Sequence, residues 1–111
     1  MREFEASYRA AVAACLARRL PLVVCTIYNG NFPDADYRER VVVALTAFND
    51  AIVRTACSHG LDVIDLRAVC DSPQDYANPI EPSSIGGAKI ARAIAGVVTG
   101  AAAPAARLFG A

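Results

Sequence analysis

The sequence predicts an α/β fold in which helices cover a parallel sheet. Two short runs of apolar, largely β-branched residues, "LPLVVCTIY" (20–28) and "LDVIDL" (61–66), have the composition of strands that are covered on both faces. Between them, residues 36–58 carry apolar side chains at helical spacing. Because a helix that joins two strands of one sheet makes a right-handed crossover between parallel strands, we predict a strand–helix–strand unit at the centre of the fold.

The first two helices are predicted from apolar side chains that recur every three or four residues. In residues 2–18 the side chains on one face are Phe4, Tyr8, Val12 and Cys15. In residues 36–58 they are Val41, Leu45, Phe48, Ile52 and Ala56. We predict that Asp36 is the N-cap of the second helix, with Glu39 completing a capping box, and that Gly60 ends it in a left-handed conformation.

The last helix is predicted to begin at a cap on Ser83 or Ser84 and to present Ile90, Ile94 and Val97 on one side. Residues 1–98 then form one partial α/β domain, and residues 99–111 form an Ala-rich tail that we predict to be disordered. The expected architecture is a partial three-layer α/β/α fold with about two parallel strands and three helices. Three amphipathic helices need a wider sheet, so we expect missing strands and an exposed apolar patch.

Composition excludes several classes of partner. The chain has 111 residues, enough for one domain, and its 11 Lys and Arg balance its 11 Asp and Glu. A neutral chain with few aromatic residues is not typical of a protein that binds nucleic acid or an anionic membrane. No stretch of 18 uninterrupted apolar residues is present, and Glu3 and Glu5 argue against a transit peptide. We therefore predict a cytoplasmic protein without a membrane span.

The cysteines do not indicate a metal or redox site. Cys15, Cys25, Cys57 and Cys70 show no C-x-x-C spacing, and the single histidine, His59, does not complete a ligand set with any pair of them. We predict four reduced, mostly buried thiols, and neither a metal site nor a cofactor.

Candidate site residues collect in the two loops that follow the predicted strands, because ligands of open parallel sheets bind beyond the carboxyl ends of the strands. In the first loop (28–36) we identify Tyr28 and Asn29 as substrate-binding candidates. The other polar residues of the two loops are Asn31, Asp34, Asp71, Asp75, Tyr76, Asn78 and Glu81. The alternative interpretation is that these loops are polar only because loops generally are.

The second loop runs into a motif with a family resemblance. "NPIEPSSIGGAKIARAI" (78–94) resembles the last sequence block of the SGNH (GDSL-type) hydrolases, which reads Asp-x-x-His-Pro-Ser, then a Gly, then an apolar helix. "IDLRAVC" (64–70) resembles the last strand of that family, and "PLVVCTIY" (21–28) the strand before it. The likeness covers about residues 5–98, the C-terminal half of such an enzyme. It implies a flavodoxin-like SGNH hydrolase fold and a small ester as the substrate.

Compared position by position, the resemblance implies an altered site. Asn78 lies at the position of the family's Asp and Glu81 at that of its catalytic His, while no residue matches the Ser nucleophile or the Gly and Asn of the oxyanion hole. An ordinary carboxylate is a poor base for a hydroxyl, and a neutral amide does not supply the charge that stabilises an imidazolium. We therefore expect this chain to be inactive by itself.

No other residue is a convincing substitute. His59 follows the middle helix, which places it at the amino edge of the sheet and away from the loops. Ser83 and Ser84 lack a G-x-S-x-G elbow and lie where a helix cap is needed. A weaker alternative is that "SSIGG" (83–87) binds an anion at the helix start.

Three functions remain open on the sequence alone. In the first, the chain is a truncated SGNH-type ester hydrolase that is inactive alone. In the second, it is one half of a split esterase, and another segment supplies the sequence block with the Ser nucleophile. The third is a non-catalytic interaction or oligomerisation domain that self-associates through an unpaired strand edge or an apolar patch.

Overall fold

A computed structural model describes residues 1–101 and 108–109 of the chain. It is a helix-dominated α/β structure with a small parallel sheet. In chain order the elements are α1 (Arg2–Leu16), β1 (Val23–Cys25), α2 (Ala35–His59), β2 (Asp62–Ile64), α3 (Leu66–Val69), a 3-10 helix (Pro73–Asp75) and α4 (Ser84–Thr99). Of the tail that we predict to be disordered, Thr99 ends α4 and Gly100 caps it, while residues 102–107 and 110–111 lie outside the described residues.

The sheet confirms the predicted parallel pairing. β1 and β2 pair in the register Val23 to Asp62, Val24 to Val63 and Cys25 to Ile64. Both strands are shorter than the apolar runs that predict them. Just beyond Cys25 the Thr26 N–H still donates to the Ile64 carbonyl (3.0 Å), and side-chain hydrogen bonds then replace the backbone ladder. The Thr26 hydroxyl donates to Asp65 (2.8 Å) and accepts from the Leu66 N–H (2.9 Å), and these bonds lead the chain into α3.

One face of the sheet holds the hydrophobic core. Val24 of β1 packs against Ile52 and Ala56 of α2, and partly buried residues surround these three: Phe4, Tyr8, Leu22, Leu61 and Val63. α1 lies beside α2 on this face, where Phe4 contacts Phe48 edge-to-face (4.7 Å between ring centroids). An ion pair between Glu5 and Arg54 (2.7 Å) joins the same two helices.

Two details of the first helices differ from the predictions. α1 ends at Leu16, and Cys15 is exposed although Val12 on the same predicted face is buried. The N-cap of α2 is Asp34, whose carboxylate accepts from the Tyr37 N–H (2.7 Å), whereas Asp36 lies in the first helical turn. Asp34 takes this position because its backbone is extended, which places its carboxylate beneath the third amide of the helix. Gly60 ends α2 at a φ of 64°, as predicted.

The second predicted loop, residues 67–83, is partly helical: α3 extends into it from Leu66, and the 3-10 helix lies within it. α4 begins at Ser84 and is capped by Ser83, one of the two serines predicted for this role, and it packs against these two short elements. Its apolar side chains are only partly covered: Ile94 and Val98 are 42% and 74% exposed. The expected deficit of covering structure is therefore visible on α4.

Cys70 is buried, Cys25 and Cys57 are half-buried, and all four cysteines are free, so the prediction of mostly buried thiols is wrong for Cys15. By length and composition alone α2 is apolar enough to span a membrane, which is weak evidence because core helices of soluble proteins meet the same criterion.

Candidate functional site

The two loops at the carboxyl edge of the sheet lie against each other. The Tyr28 hydroxyl donates to the Ile80 carbonyl (2.7 Å), and the Asn31 N–H donates to the Pro79 carbonyl (2.9 Å). Tyr28 and Asn29 from the first loop are thus held beside the segment that contains Asn78 and Glu81. The structure brings all four predicted site residues to one edge of the sheet.

Tyr76 ties the loops together from inside. Its hydroxyl donates to the Cys70 carbonyl (3.0 Å) and accepts from the Gly30 N–H (3.2 Å), and its ring meets that of Tyr28 edge-to-face at 5.5 Å. Burial raises the pKa of both tyrosines, so each hydroxyl is a neutral donor near pH 7. The nearby Cys70 and Glu81 add smaller upward contributions to the pKa of Tyr28.

Asn78 and Glu81 form a closed turn. The Asn78 side-chain carbonyl accepts from the Ile80 N–H (3.0 Å) and the Glu81 N–H (2.8 Å), and its amide donates to Glu81 Oε2 (2.9 Å). The Ala77 N–H donates to the Glu81 carbonyl (2.9 Å) and closes the turn. Both side chains are exposed, and no serine or threonine hydroxyl in the described part of the chain bonds to Glu81.

The start of α4 is fitted closely to the 3-10 helix. Ser83 Oγ donates to the Gln74 carbonyl (2.6 Å) and accepts from the Gly86 N–H (3.2 Å), while the Ser83 N–H donates to the Asp75 carbonyl (2.8 Å). A Cβ on Gly86 would lie only 2.0 Å from the Asp75 carbonyl oxygen. Glycine is therefore required there by the close approach of two backbones. Of the two serines predicted as possible caps, Ser83 is the cap.

An ion pair between the buried Asp75 and the half-buried Lys89 lies below this junction. The Asp75 side chain is fully buried, and its Oδ2 accepts from Lys89 Nζ (3.0 Å) and from the Ser72 N–H (3.0 Å). Burial by itself raises the pKa of the Asp75 carboxyl. The hydrogen bonds from Lys89 and Ser72 and the Lys89 charge outweigh it and hold that pKa below its ordinary value. Asp71, 3.5 Å from Lys89, is an exposed second partner.

Two open clefts flank Asn29 and Gly30. One, about 300 Å³, is largely polar, and its lining includes Asn31, Arg38, Arg67 and Ser72. The other, about 260 Å³, is apolar, and its lining includes Tyr28, Phe32, Val41, Leu45 and Ile80. Arg67 is paired with Asp65 (2.8 Å), which leaves Arg38, with a single long contact to the Phe32 carbonyl (3.5 Å), as the more available cation.

The two other candidates from the sequence, His59 and the helix start at 83–87, lie where the sequence predicts them. His59 is the last residue of α2, and its Nδ1 lies 3.0 Å from the Thr55 carbonyl, at the edge of the sheet opposite the clefts. At the helix start, the Gly86 and Gly87 amides already bond to Ser83. Over residues 1–101 and 108–109, no cluster of three or more His, Cys, Asp or Glu side chains is placed to hold a metal ion.

Two residues that organise this part of the structure, Asn49 and Lys89, are not among those that the sequence singles out. Asn49 is fully buried in α2 and pairs with both backbone groups of Ile27, at 2.7 Å and 3.0 Å. In the sequence, the only feature that distinguishes Asn49 is that it is an amide next to the apolar stripe of a predicted helix. Lys89, the partner of Asp75, has the spacing of a solvent-exposed helix residue and gives no signal at all.

No family model, curated protein or solved structure matches this chain.

Proposed function

We propose that this chain is the C-terminal part of an SGNH-type ester hydrolase and that it is inactive by itself. The observation that carries the proposal is the Asn78–Glu81 pair, bonded at 2.9 Å on a carboxyl-edge loop directly before a Ser-capped helix. The resembling sequence block has its acidic residue and its base at these two positions. The strand–helix–strand order and the parallel register support the same proposal.

The chemistry of the pair supports an inactive chain. A working base takes a proton from a nucleophilic hydroxyl and returns it to the leaving group. Here the Asn78 amide donates to the Glu81 carboxylate and also holds the backbone turn. An amide of this kind neither carries the charge that would stabilise a protonated base nor takes up a proton itself. The pair therefore shapes the loop, and the reacting hydroxyl must come from another segment.

The two clefts are the proposed place for the substrate. Asn29 and Gly30 line both, so a small ester bound across them has its apolar part against Phe32, Val41 and Leu45 and its polar part towards Arg38. Tyr28 contributes to the apolar cleft and, through Ile80, fixes the neighbouring loop. The chemistry needs no metal or cofactor, and the four free thiols suit the reducing cytoplasm.

The test is complementation. The DNA that flanks this gene is searched for a sequence that encodes a β-strand ending in Gly-Asp-Ser. The encoded segment is then produced together with this chain. We expect saturable hydrolysis of p-nitrophenyl butyrate by the pair, none by this chain alone, and loss of hydrolysis when the new serine is changed to alanine.

A variant of this chain sharpens the test. Asn78→Asp/Glu81→His restores the family pattern but supplies no nucleophile, so alone it should show only the non-saturable background of a free imidazole. Saturable hydrolysis by the wild-type chain alone would contradict the inactive assignment. The absence of any Gly-Asp-Ser segment that restores activity would contradict the assignment to an ester hydrolase.

A second function is favoured by the uncovered side of α4. Ile94 and Val98, which are four residues apart and lie on the same side of α4, are 42% and 74% exposed. Apolar side chains repeated along one helix are typical of a surface that another protein covers, so a non-catalytic oligomerisation domain is the alternative proposal. Sedimentation should then show self-association, and a hydrophobic dye should bind the monomer. A clean monomer that binds no dye would contradict this alternative.

A further inference from the structure

We propose that the two clefts beside Asn29 and Gly30 together bind a short aliphatic carboxylate, with its carboxylate on Arg38 in the polar cleft and its chain in the apolar cleft. This ligand is an acid, whereas the ester of the proposed function is neutral. Binding needs no nucleophile and is a property of this chain alone. Only the role of the acid, as the product that ester hydrolysis releases, rests on the proposed function.

Arg38 brings an unpaired positive charge to the polar cleft. Within residues 1–101 and 108–109, the only hydrogen bond of its side chain is the long one from Nη1 to the Phe32 carbonyl (3.5 Å). Asp34, one turn before Arg38, uses its carboxylate to accept from the Tyr37 N–H (2.7 Å). A neutral ester gives this guanidinium no charged partner, whereas a carboxylate can accept two parallel N–H bonds from it.

Other side chains of the polar cleft supply further donors. Asn29 and Asn31 line it and are half-buried, and their side-chain amides have no hydrogen-bond partner in the described part of the chain. Arg67 donates from Nε and Nη2 to Asp65 (2.8 and 3.0 Å), which leaves its Nη1 open. Amide and guanidinium N–H groups are the donors that a carboxylate needs around it.

The charges around the polar cleft favour a ligand with a single negative charge. Of the two arginines in its lining, Arg67 is neutralised by Asp65, and Arg38 is unpaired. Asp71 is the one carboxylate of the lining among the described residues, and its contact to Lys89 is long (3.5 Å). Arg38 can compensate a monoanion, whereas Asp71 repels a dianion such as phosphate twice as strongly.

The apolar cleft adjoins this cation. The two clefts share part of their lining, and the carbonyl that Arg38 contacts belongs to Phe32, which lines the apolar cleft. Among the described residues, those that line the apolar cleft carry no charge. A chain that starts at Arg38 can therefore leave water against Val41 and Leu45 without desolvating a charged side chain.

Binding needs both ends of the ligand. Arg38 is exposed, and an exposed ion pair contributes little by itself. A short chain in an open cleft leaves part of its surface in water and is also weak alone. Clefts of about 300 and 260 Å³ are at the lower end of the range for small-molecule sites, which indicates a small acid. Hexanoate meets these limits and is the probe.

Titration of this chain with hexanoate at pH 7 and constant ionic strength, followed by amide NMR, tests the proposal. We expect saturable shifts of the Gly30 amide and of the side-chain amides of Asn29 and Asn31, with a Kd of about 1–10 mM. Acetate, which lacks the chain, and hexan-1-ol, which lacks the charge, should each bind at least about tenfold more weakly. These comparisons leave the protein unchanged.

A matched pair of variants tests the role of Arg38. Arg38→Gln should weaken hexanoate binding at least about tenfold and leave the weaker binding of hexan-1-ol unchanged, because it removes only the charged end of the site. Arg40→Gln is the control: Arg40 is exposed on the same helix but faces another side, and it lines neither cleft in the described part of the chain. It should bind hexanoate like wild type. Both positions are exposed, so the urea midpoints should not change.

Five results would overturn the proposal: no binding of hexanoate, equal binding of hexanoate and either acetate or hexan-1-ol, hexanoate binding that Arg38→Gln does not weaken, shifts confined to α4 around Ile94 and Val98, or inorganic phosphate that binds more tightly than hexanoate. The measurement is binding by this chain alone. A negative result therefore leaves the hydrolase proposal to its own complementation test, and a failed complementation leaves the carboxylate site standing.

Discussion

The Asn49 side chain accepts a hydrogen bond from the Ile27 N–H (2.7 Å) and donates one to the Ile27 carbonyl (3.0 Å). One fully buried amide in α2 thus pairs both backbone groups of a residue just beyond β1. The bond pair fixes where the strand ends and where the loop carrying Tyr28 and Asn29 begins. The position of this part of the candidate site therefore depends on a residue that faces the core.

Asn49→Ala should destabilise the protein by about 2–4 kcal/mol, because it removes two hydrogen bonds and leaves two backbone groups of Ile27 unpaired at a partly buried place. The measurement is the free energy of unfolding in urea. Thr46→Ala, an exposed change on the same helix, is the control and should stay within about 0.5 kcal/mol of wild type. Equal effects of the two changes would contradict a specific role for Asn49.

Gly86 and Gly87 offer a matched pair at the start of α4. A Cβ at position 86 would lie 2.0 Å from the Asp75 carbonyl oxygen, whereas one at position 87 would meet nothing within 4 Å. We expect Gly86→Ala to destabilise the fold by about 3 kcal/mol or more, because backbone must move. Gly87→Ala should stabilise it by up to about 1 kcal/mol through helix propensity.

Urea midpoints of the two glycine variants check this prediction. Circular dichroism of the folded baselines shows whether α4 keeps its helicity in each. A Gly86→Ala protein as stable as wild type would show that α4 and the 3-10 helix do not pack as closely as described.

Local signals in the sequence predicted the parts of the fold that depend on neighbouring residues. The apolar runs at 20–28 and 61–66 predicted two parallel strands. Gly60 predicted the end of α2, and the adjacent Ser83 and Ser84 predicted the start of α4. The sequence pattern could not separate Asp34 from Asp36 as the cap of α2, because both are acidic residues near the helix start. The extended backbone at Asp34 is what makes this residue, and not Asp36, the cap of α2.

Contacts between residues that are far apart in the sequence could not be predicted from the neighbours of each residue. The Asp75–Lys89 pair joins the 3-10 helix to α4 across 14 positions, and the Asn49–Ile27 pair joins α2 to β1 across 22. Each uses a polar residue that is typical of an exposed surface when judged by its neighbours alone. At the site, the sequence placed Asn78 and Glu81 on one loop, but the turn that bonds them depends on three further backbone and side-chain contacts.

The Asp75–Lys89 pair predicts how stability depends on pH. The pKa of Asp75 is held below its ordinary value, so its contribution is complete above about pH 4 and is lost as the pH falls through the folded-state value. The pKa of Lys89 is raised, first by its hydrogen bond to Asp75, so its contribution is complete below about pH 10 and is lost as the pH rises further. The pair therefore stabilises the protein between these limits.

Asp75→Asn should lower the urea midpoint at pH 7 and make the loss of stability below pH 4 less steep, because the carboxylate that must be protonated is gone. Asp71→Asn is the control: this exposed residue contacts the same Lys89 at 3.5 Å and should leave the midpoint at pH 7 unchanged. The paired pH series are recorded in urea at constant ionic strength. Identical acid profiles for Asp75→Asn and wild type would assign the acid sensitivity to other carboxylates.

Asn78→Asp should introduce a dependence of stability on pH at the candidate site. The new carboxylate keeps the two backbone hydrogen bonds from Ile80 and Glu81, but it replaces an amide donor with a second negative charge about 2.9 Å from the Glu81 carboxylate. Two adjacent carboxylates raise the pKa of one of them, so the folded variant binds an extra proton and gains stability as the pH falls from 7 towards 4.

The expected gain for Asn78→Asp over that interval is about 1 kcal/mol relative to wild type, since both side chains are exposed. Asn78→Ala is the comparison: it loses the three hydrogen bonds of the Asn78 side chain and should be destabilised equally at both pH values, because it adds no charge. Unfolding free energies of the three proteins at pH 7 and pH 4 separate these effects. If Asn78→Asp loses stability relative to wild type on acidification, the two side chains do not meet in solution, and the turn proposed to stand in place of a catalytic pair is formed by the backbone alone.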